Sequence, residues 1–344
     1  MAGLLSAALA VSGAPHDALQ PDVLGWAHRS SSKLSTISAP LSRGSSGITP
    51  VFWLHVPKTG SSFATTIAHF IAPGLPGELV VKDPTDNLNK YQGLIRADMV
   101  GRFRSGHEPL SDTDAHLYQG GIVMMMRRPF ERTVSAFHHS LHDCPALQAR
   151  YGCLEHSAVQ SKMDACTQQA NFTEYSECVS GCTARMLLGA HCGDDTVSAR
   201  TRPTMAADAI DVVAKRVGFV GLTDHWAASV CLWHKRFGGK CLAAEFIDTR
   251  PGDYAPDTAL ATEWPGDPTE EAVFAAGAAQ FWAQLEEHGL TSADACAAVC
   301  PDVERAHFEG QAYTQAEAEA AEAARASRAT TAARRRHRSW ELSL

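Results

Sequence analysis

The stretch VFWLHVPKTGSSFATTIAHF, residues 51–70, decides how the rest of the chain is read. Its apolar start, from Pro50 to Val56, predicts a buried strand, and Ser62 to Ile71 predicts a helix. Between them lies Pro57-Lys58-Thr59-Gly60-Ser61-Ser62. A strand that turns through a glycine into a helix is the layout of an anion-binding loop. The glycine lets backbone approach an anion, and the amides of Gly60, Ser61 and Ser62 stand at the positive end of the helix dipole. Thr59, Ser61 and Ser62 add hydroxyl donors, and Lys58 adds a full charge. The lysine precedes the glycine, so the order differs from the G-x-x-x-x-G-K-[ST] loop of nucleotide hydrolases. Ser61, not being glycine, requires a backbone that avoids positive φ.

Working outward, DMVGRFRSGHEPL (98–110) predicts a short strand ending near Gly106, and GGIVMMM (120–126) a strand buried on both faces. Pro129 opens a helix at the position where proline fits best, and Phe130, Val134, Phe137 and Leu141 form its apolar stripe. A helix over 205–217, a strand over 217–222, a helix over 224–237 and a helix over 271–288 stopped by Gly289 continue the alternation. Strands alternating with helices imply an α/β fold with a central parallel sheet flanked by helices. Residues 1–47 read as a leader or stem, 48–300 as the folded domain, and 301–344 as an Ala/Glu-rich helix with a basic tail. A cysteine-rich insertion over about 143–204 interrupts the rhythm.

The segment MMMRRPFERTVSAF places Arg127 at the C-terminal end of a buried strand, where open α/β sheets bind ligands. Arg128, Arg132 and Ser135 are expected on one helix side, so that an arginine fork and a hydroxyl would grip a second phosphate. HVPKTGSSF resembles the 5′-phosphosulfate loop of the Golgi carbohydrate sulfotransferases, and RRPFERTVSAF their 3′-phosphate segment. The closest form is that of the heparan sulfate 2-O- and uronyl 2-O-sulfotransferases. GFVGLTDHWAASVCLW resembles a further block in the same order, so the likeness spans residues 55–233.

That resemblance implies a P-loop-like sulfotransferase fold, 3′-phosphoadenosine 5′-phosphosulfate as donor, no metal, and a glycan or polysaccharide acceptor. Lys58, Thr59, Gly60, Ser61, Ser62 and Phe63 would hold the 5′-phosphosulfate, and Arg127 with Ser135 the 3′-phosphate. Lys58 would also stabilise charge on the leaving phosphate. The acceptor hydroxyl needs a base. Gly106-His107 matches the family's glycine-histidine segment by order, with Glu108 as the fallback, and imidazole titrates near neutrality. His138 and His139 are expected to be structural or to line the acceptor. In the 2-O-type enzymes a histidine precedes that glycine, where Ser105 stands here, and loops of the wider family commonly carry Gly-Gly-Thr in place of Gly60-Ser61-Ser62. Two rival readings stay open: a P-loop nucleotide kinase or NTPase, which needs an acidic magnesium ligand on a neighbouring strand, and a non-catalytic extracellular binding domain.

The bulk composition constrains the setting. The chain has 344 residues, 45% hydrophobic and 20% charged, which is ordinary for a soluble globular protein. A net charge of −8 argues against nucleic acid as a partner. The start MAGLLSAALAVSGAPHDA carries a short apolar run, compatible with a cleaved signal or with membrane association through the N-terminus. Ten cysteines, six of them between 144 and 192, predict disulfides and a secretory route to the Golgi lumen or membrane, or to secretion. Zinc is the rival, although no C-x-x-C pair occurs. The sequon Asn171-Phe172-Thr173 agrees with that route. Cys178 with Cys182, and Cys296 with Cys300, would each share a helix face and bond to separate partners.

Overall fold

The structure, a computed structural model, describes residues 50–81, 92–138, 172–192, 203–249 and 258–320. His139, Leu141, Cys144, Cys153, Cys166, Asn171, the leader and the basic tail lie outside the described residues.

Four strands form one all-parallel sheet among the described residues: β1 (Val51–Leu54), β2 (Phe103–Gly106), β3 (Ile122–Met126) and β4 (Val217–Leu222). Their order is β2-β1-β3-β4. β1, β3 and β4 are buried at every residue, as continuous apolar runs flanked by helices require. Between β3 and β4 the register shifts at Ile122/Val123, so that Ile122 faces Val217 and Val123 faces Phe219. Gly218 is the skipped residue, and a Cβ there would run into the Gly120 carbonyl.

The helices are α1 (Ala64–Ile71), α2 (Asp112–Leu117), α3 (129–138), α4 (Phe172–Cys178), α5 (Cys182–Leu187) and α6 (Met205–Arg216). They continue with α7 (Trp226–Phe237), α8 (Thr258–Glu263), α9 (Pro268–Glu287), α10 (Ala293–Val299) and α11 (315–320). No helix of the described residues is long and apolar enough to cross a membrane. An aromatic cluster fixes α1 against the sheet. Phe63 stacks on Phe219 at 5.7 Å, and Trp233 meets Phe63 and Phe70 edge-on at 5.5 and 5.3 Å.

The stripe on α3 is buried, but in a second, smaller core. Val134 and Phe137 pack with Phe172 and Tyr175, and Phe130 and Trp264 close it. The end of the cysteine-rich segment belongs to the main core. Cys182, Ala184, Met186 and Leu187 of α5 are buried there, and Leu110 N–H donates to Met186 C=O at 2.8 Å. The core also takes in Val303, Phe308 and Tyr313, beyond residue 300.

Three disulfides staple the described residues: Cys182–Cys192, Cys231–Cys296 and Cys241–Cys300. They fit an oxidising, extracellular or secretory environment. Cys296 and Cys300 bond to separate partners as expected. Cys178 and Cys182 do not share a helix, because Gly181, at φ 71°, separates α4 from α5.

Candidate functional site

In a parallel sheet every strand delivers its C-terminal end to the same edge. The chain runs from β1 to β2 on one side, then to β3 on the other, so the crevice between β1 and β3 is the switch point where such sheets bind ligands. The loop 57–62 leaves β1 at this place.

Two left-handed residues shape the loop: Lys58 at φ 68° and Gly60 at φ 92°. For Lys58 that conformation costs roughly 1–2 kcal/mol, a strain concentrated at functional loops. Thr59 closes the turn, donating its hydroxyl to Val56 C=O at 2.7 Å. Gly60 is confined by space as well as conformation. A Cβ there would lie 3.1 Å from both Thr223 Cγ2 and Trp226 Cζ3. Trp226 is itself anchored by its indole N–H to Glu245 C=O at 2.8 Å. The first helical hydrogen bond runs from Phe63 N–H to Gly60 C=O at 3.1 Å, so the amides of Gly60, Ser61 and Ser62 stand ahead of it as the helix's N-terminal donors. Ser61 sits in the short 3-10 turn Ser61–Phe63, half-buried and without positive φ.

Three side chains expected at the anion have other work. The Thr59 hydroxyl holds the turn. The Ser62 hydroxyl donates to Asp248 at 3.2 Å and accepts from Thr249 N–H at 3.0 Å, tying the loop to residues 248–249. The Phe63 ring belongs to the aromatic core. Of the expected anion ligands, Lys58, Ser61 and the three amides keep their place in the loop.

Arg127 follows β3 directly and is partly exposed, with Nε 3.9 Å from Glu131 Oε2. Arg128 donates to Asp224 at 2.7 Å. Burial first, and then the Asp224 charge, push the Glu131 carboxyl above its ordinary value, while Arg127 and Arg128 pull it down. The site mouth is therefore a mixed patch in which each arginine already faces a carboxylate.

Arg132 does not join it. Its side chain is 2% exposed and faces Glu270 Oε2 at 3.4 Å. The expected common side for Arg128 and Arg132 does not hold: Arg128, at the start of the helix, turns to Asp224, and Arg132 turns into the interior to Glu270. Glu270 also accepts from Thr183 N–H at 2.6 Å and Thr183 Oγ1 at 2.7 Å, which locks α3, α5 and α9 together. Burial raises the Glu270 carboxyl even so, and Arg132 opposes that. Ser135, one turn beyond Arg132, is buried too.

His107 leaves β2 beside the loop. His55 N–H donates to Gly106 C=O at 3.1 Å, joining the two strand ends. The His107 ring stacks on His55 at 4.3 Å, and His55 stacks on Trp53 at 4.4 Å. Glu108 is partly exposed and lies 3.9 Å from His191. His138 packs against Phe137 at 5.7 Å, on the side of the smaller core. Sequence reasoning missed His55, although it stands inside the decisive stretch, missed Glu131, four residues from Arg127, and missed Asp224, which only folding brings to Arg128.

Among the described residues, one cluster elsewhere has the donor set of a metal site: His234, Cys241 and Glu245. Its donors are spent within the protein. Cys241 is bonded to Cys300, and His234 Nε2 meets Glu245 Oε2 at 2.7 Å.

No protein-family model matches the chain, and no curated protein matches it.

Proposed function

We propose that the protein transfers a sulfuryl group from 3′-phosphoadenosine 5′-phosphosulfate to a carbohydrate hydroxyl, in the Golgi lumen or elsewhere along the secretory pathway. The observation that carries this reading is the grouping at one sheet edge. The Lys58–Ser62 loop leaves β1 at the switch point, His107 leaves β2 on one side, and Arg127 leaves β3 on the other. The motif resemblance over residues 55–233 to the carbohydrate sulfotransferases supplies the donor and the P-loop-like sulfotransferase fold.

In this mechanism the acceptor oxygen attacks sulfur as its proton passes to His107. The bond from sulfur to the bridging oxygen breaks, and the electron pair leaves with the 5′-phosphate. Lys58 and the amides of Gly60, Ser61 and Ser62 stabilise charge that grows on that oxygen; each such preorganised donor is worth roughly 3 kcal/mol. Arg127 turns from Glu131 to the 3′-phosphate, and Ser135 would need to reorient to assist it. The disulfides agree with a lumenal setting.

A second reading, a metal-dependent nucleotide kinase, draws on Asp224, which follows the Thr223 that packs against Gly60, and on Glu131, which interacts with Asp224. Asp224 is already paired with Arg128 at 2.7 Å, which disfavours it as a magnesium ligand. The deciding experiment incubates the protein with sulfur-labelled donor and a panel of polysaccharides, with chelator present. Label in a polysaccharide supports sulfuryl transfer. In a parallel incubation with γ-phosphate-labelled ATP and magnesium but no chelator, label transfer there and none from the sulfur-labelled donor supports the kinase.

A further inference from the structure

The ring stack beside the loop follows from sheet register. β1 and β2 pair Trp53 with Ser105 and Leu54 with Gly106, so the next residues, His55 and His107, are lateral neighbours. Trp53 and His55 are two apart on one strand and point to the same face. The three rings therefore pile in one column, with interplanar angles of 14° and 29°. The column runs from buried Trp53 through His55, 9% exposed, to half-buried His107 at the site.

We infer that His55 is a positioning residue for His107. The inference rests on the sulfuryl-transfer reading, in which His107 is the base. The imidazole terminal torsion is broad, so an unsupported ring would sample many planes. A ring stacked on its face fixes that plane. Neither His55 nor Trp53 touches the reacting atoms. Reacting groups held in near-attack geometry lose about 100-fold in rate on a displacement of 1 Å, so loss of the support should be read in turnover.

The test compares His55→Leu, which keeps bulk without a ring, with His55→Phe, which keeps the ring. Turnover is followed with the sulfur-labelled donor and whichever polysaccharide of the panel takes up most label. Donor affinity is measured by calorimetry with 3′-phosphoadenosine 5′-phosphate. His55→Leu should lose roughly 10- to 100-fold in kcat with donor affinity unchanged, and His55→Phe should recover most of it. A readout free of catalysis comes from ring carbon–proton NMR spectra, with the His107 signal assigned through His107→Gln. Its upfield ring-current shift should persist in His55→Phe and vanish in His55→Leu. Equal turnover in the two variants, or loss of donor affinity together with kcat, would overturn the role of His55 alone. A wild type that shows the shift but transfers no label overturns the parent reading, and the role falls with it.

Discussion

Gly60→Ala tests whether the loop after β1 is built around one residue. Alanine at φ 92° costs roughly 1–2 kcal/mol in backbone conformation. The new methyl would also sit 3.1 Å from Thr223 Cγ2 and from Trp226 Cζ3. Trp226 cannot retreat freely, since its indole N–H is bonded to Glu245 C=O. Overpacking of this kind adds about 1–3 kcal/mol, for a total of about 2–5 kcal/mol. Gly289→Ala is the control. It shares the left-handed conformation at φ 69° with nothing within 4 Å, so only the conformational cost of about 1–2 kcal/mol applies. Urea unfolding measures both. Calorimetry with 3′-phosphoadenosine 5′-phosphate then reads the site. Gly60→Ala should weaken binding about 10- to 100-fold by misaligning the charged hydrogen bonds of the loop, and Gly289→Ala should not. Thr223→Ser in the Gly60→Ala background removes one of the two crowding atoms and should recover part of the stability. Equal destabilisation by the two alanines, or undiminished binding in Gly60→Ala, would refute the reasoning.

Replacing Arg132 by alanine leaves the buried Glu270 carboxylate uncompensated and should cost about 3–5 kcal/mol in urea unfolding, with no specific change in the donor-affinity contribution of Arg127. Removing Cys241–Cys300, which spans 59 residues, should cost about 4 kcal/mol by loop entropy, against about 3 kcal/mol for Cys182–Cys192, which spans 10. Mass mapping of non-reduced peptides should recover the three described pairs. Glu131 has a folded pKa above its ordinary 4.5. Its contribution to stability is therefore complete below that value and is lost as pH rises through the folded pKa. Relative to Glu131→Gln, the wild type should lose stability with rising pH in that window, and Asp224→Asn should narrow the loss; an unchanged difference across the window would contradict the placement of the two carboxylates. Arg127→Ala should weaken donor binding by roughly 1.5–3 kcal/mol with a smaller effect on turnover, because the 3′-phosphate is not transferred.

Much of the architecture was legible because it is local. Val217–Leu222 is a continuous apolar run between two periodic segments, and it is a strand over those residues. The helix expected over 271–288 runs from Pro268 to Glu287, and Gly289 follows with positive φ. The loop was legible for the same reason: strand, glycine and helix are consecutive. What escaped were long-range pairings. Arg132 reads as a surface arginine until Glu270, on another helix, reaches it. Ser62 reads as an anion donor until Asp248 and Thr249 claim its hydroxyl. Phe63 looks like part of the motif, and its ring is core, since Phe219 and Trp233 arrive from β4 and α7. His55 was overlooked because its partner, His107, becomes its neighbour only through the parallel register of β1 and β2.

The central claim, that the loop after β1 performs sulfuryl transfer, is tested most directly by Lys58→Ala. Turnover of the labelled donor and affinity for 3′-phosphoadenosine 5′-phosphate are measured side by side, with chelator present. Charge on the bridging oxygen grows only as its bond to sulfur breaks, so kcat should fall about 100- to 1,000-fold while affinity changes far less. Wild-type turnover in Lys58→Ala, or affinity and kcat lost in equal measure, would contradict the account.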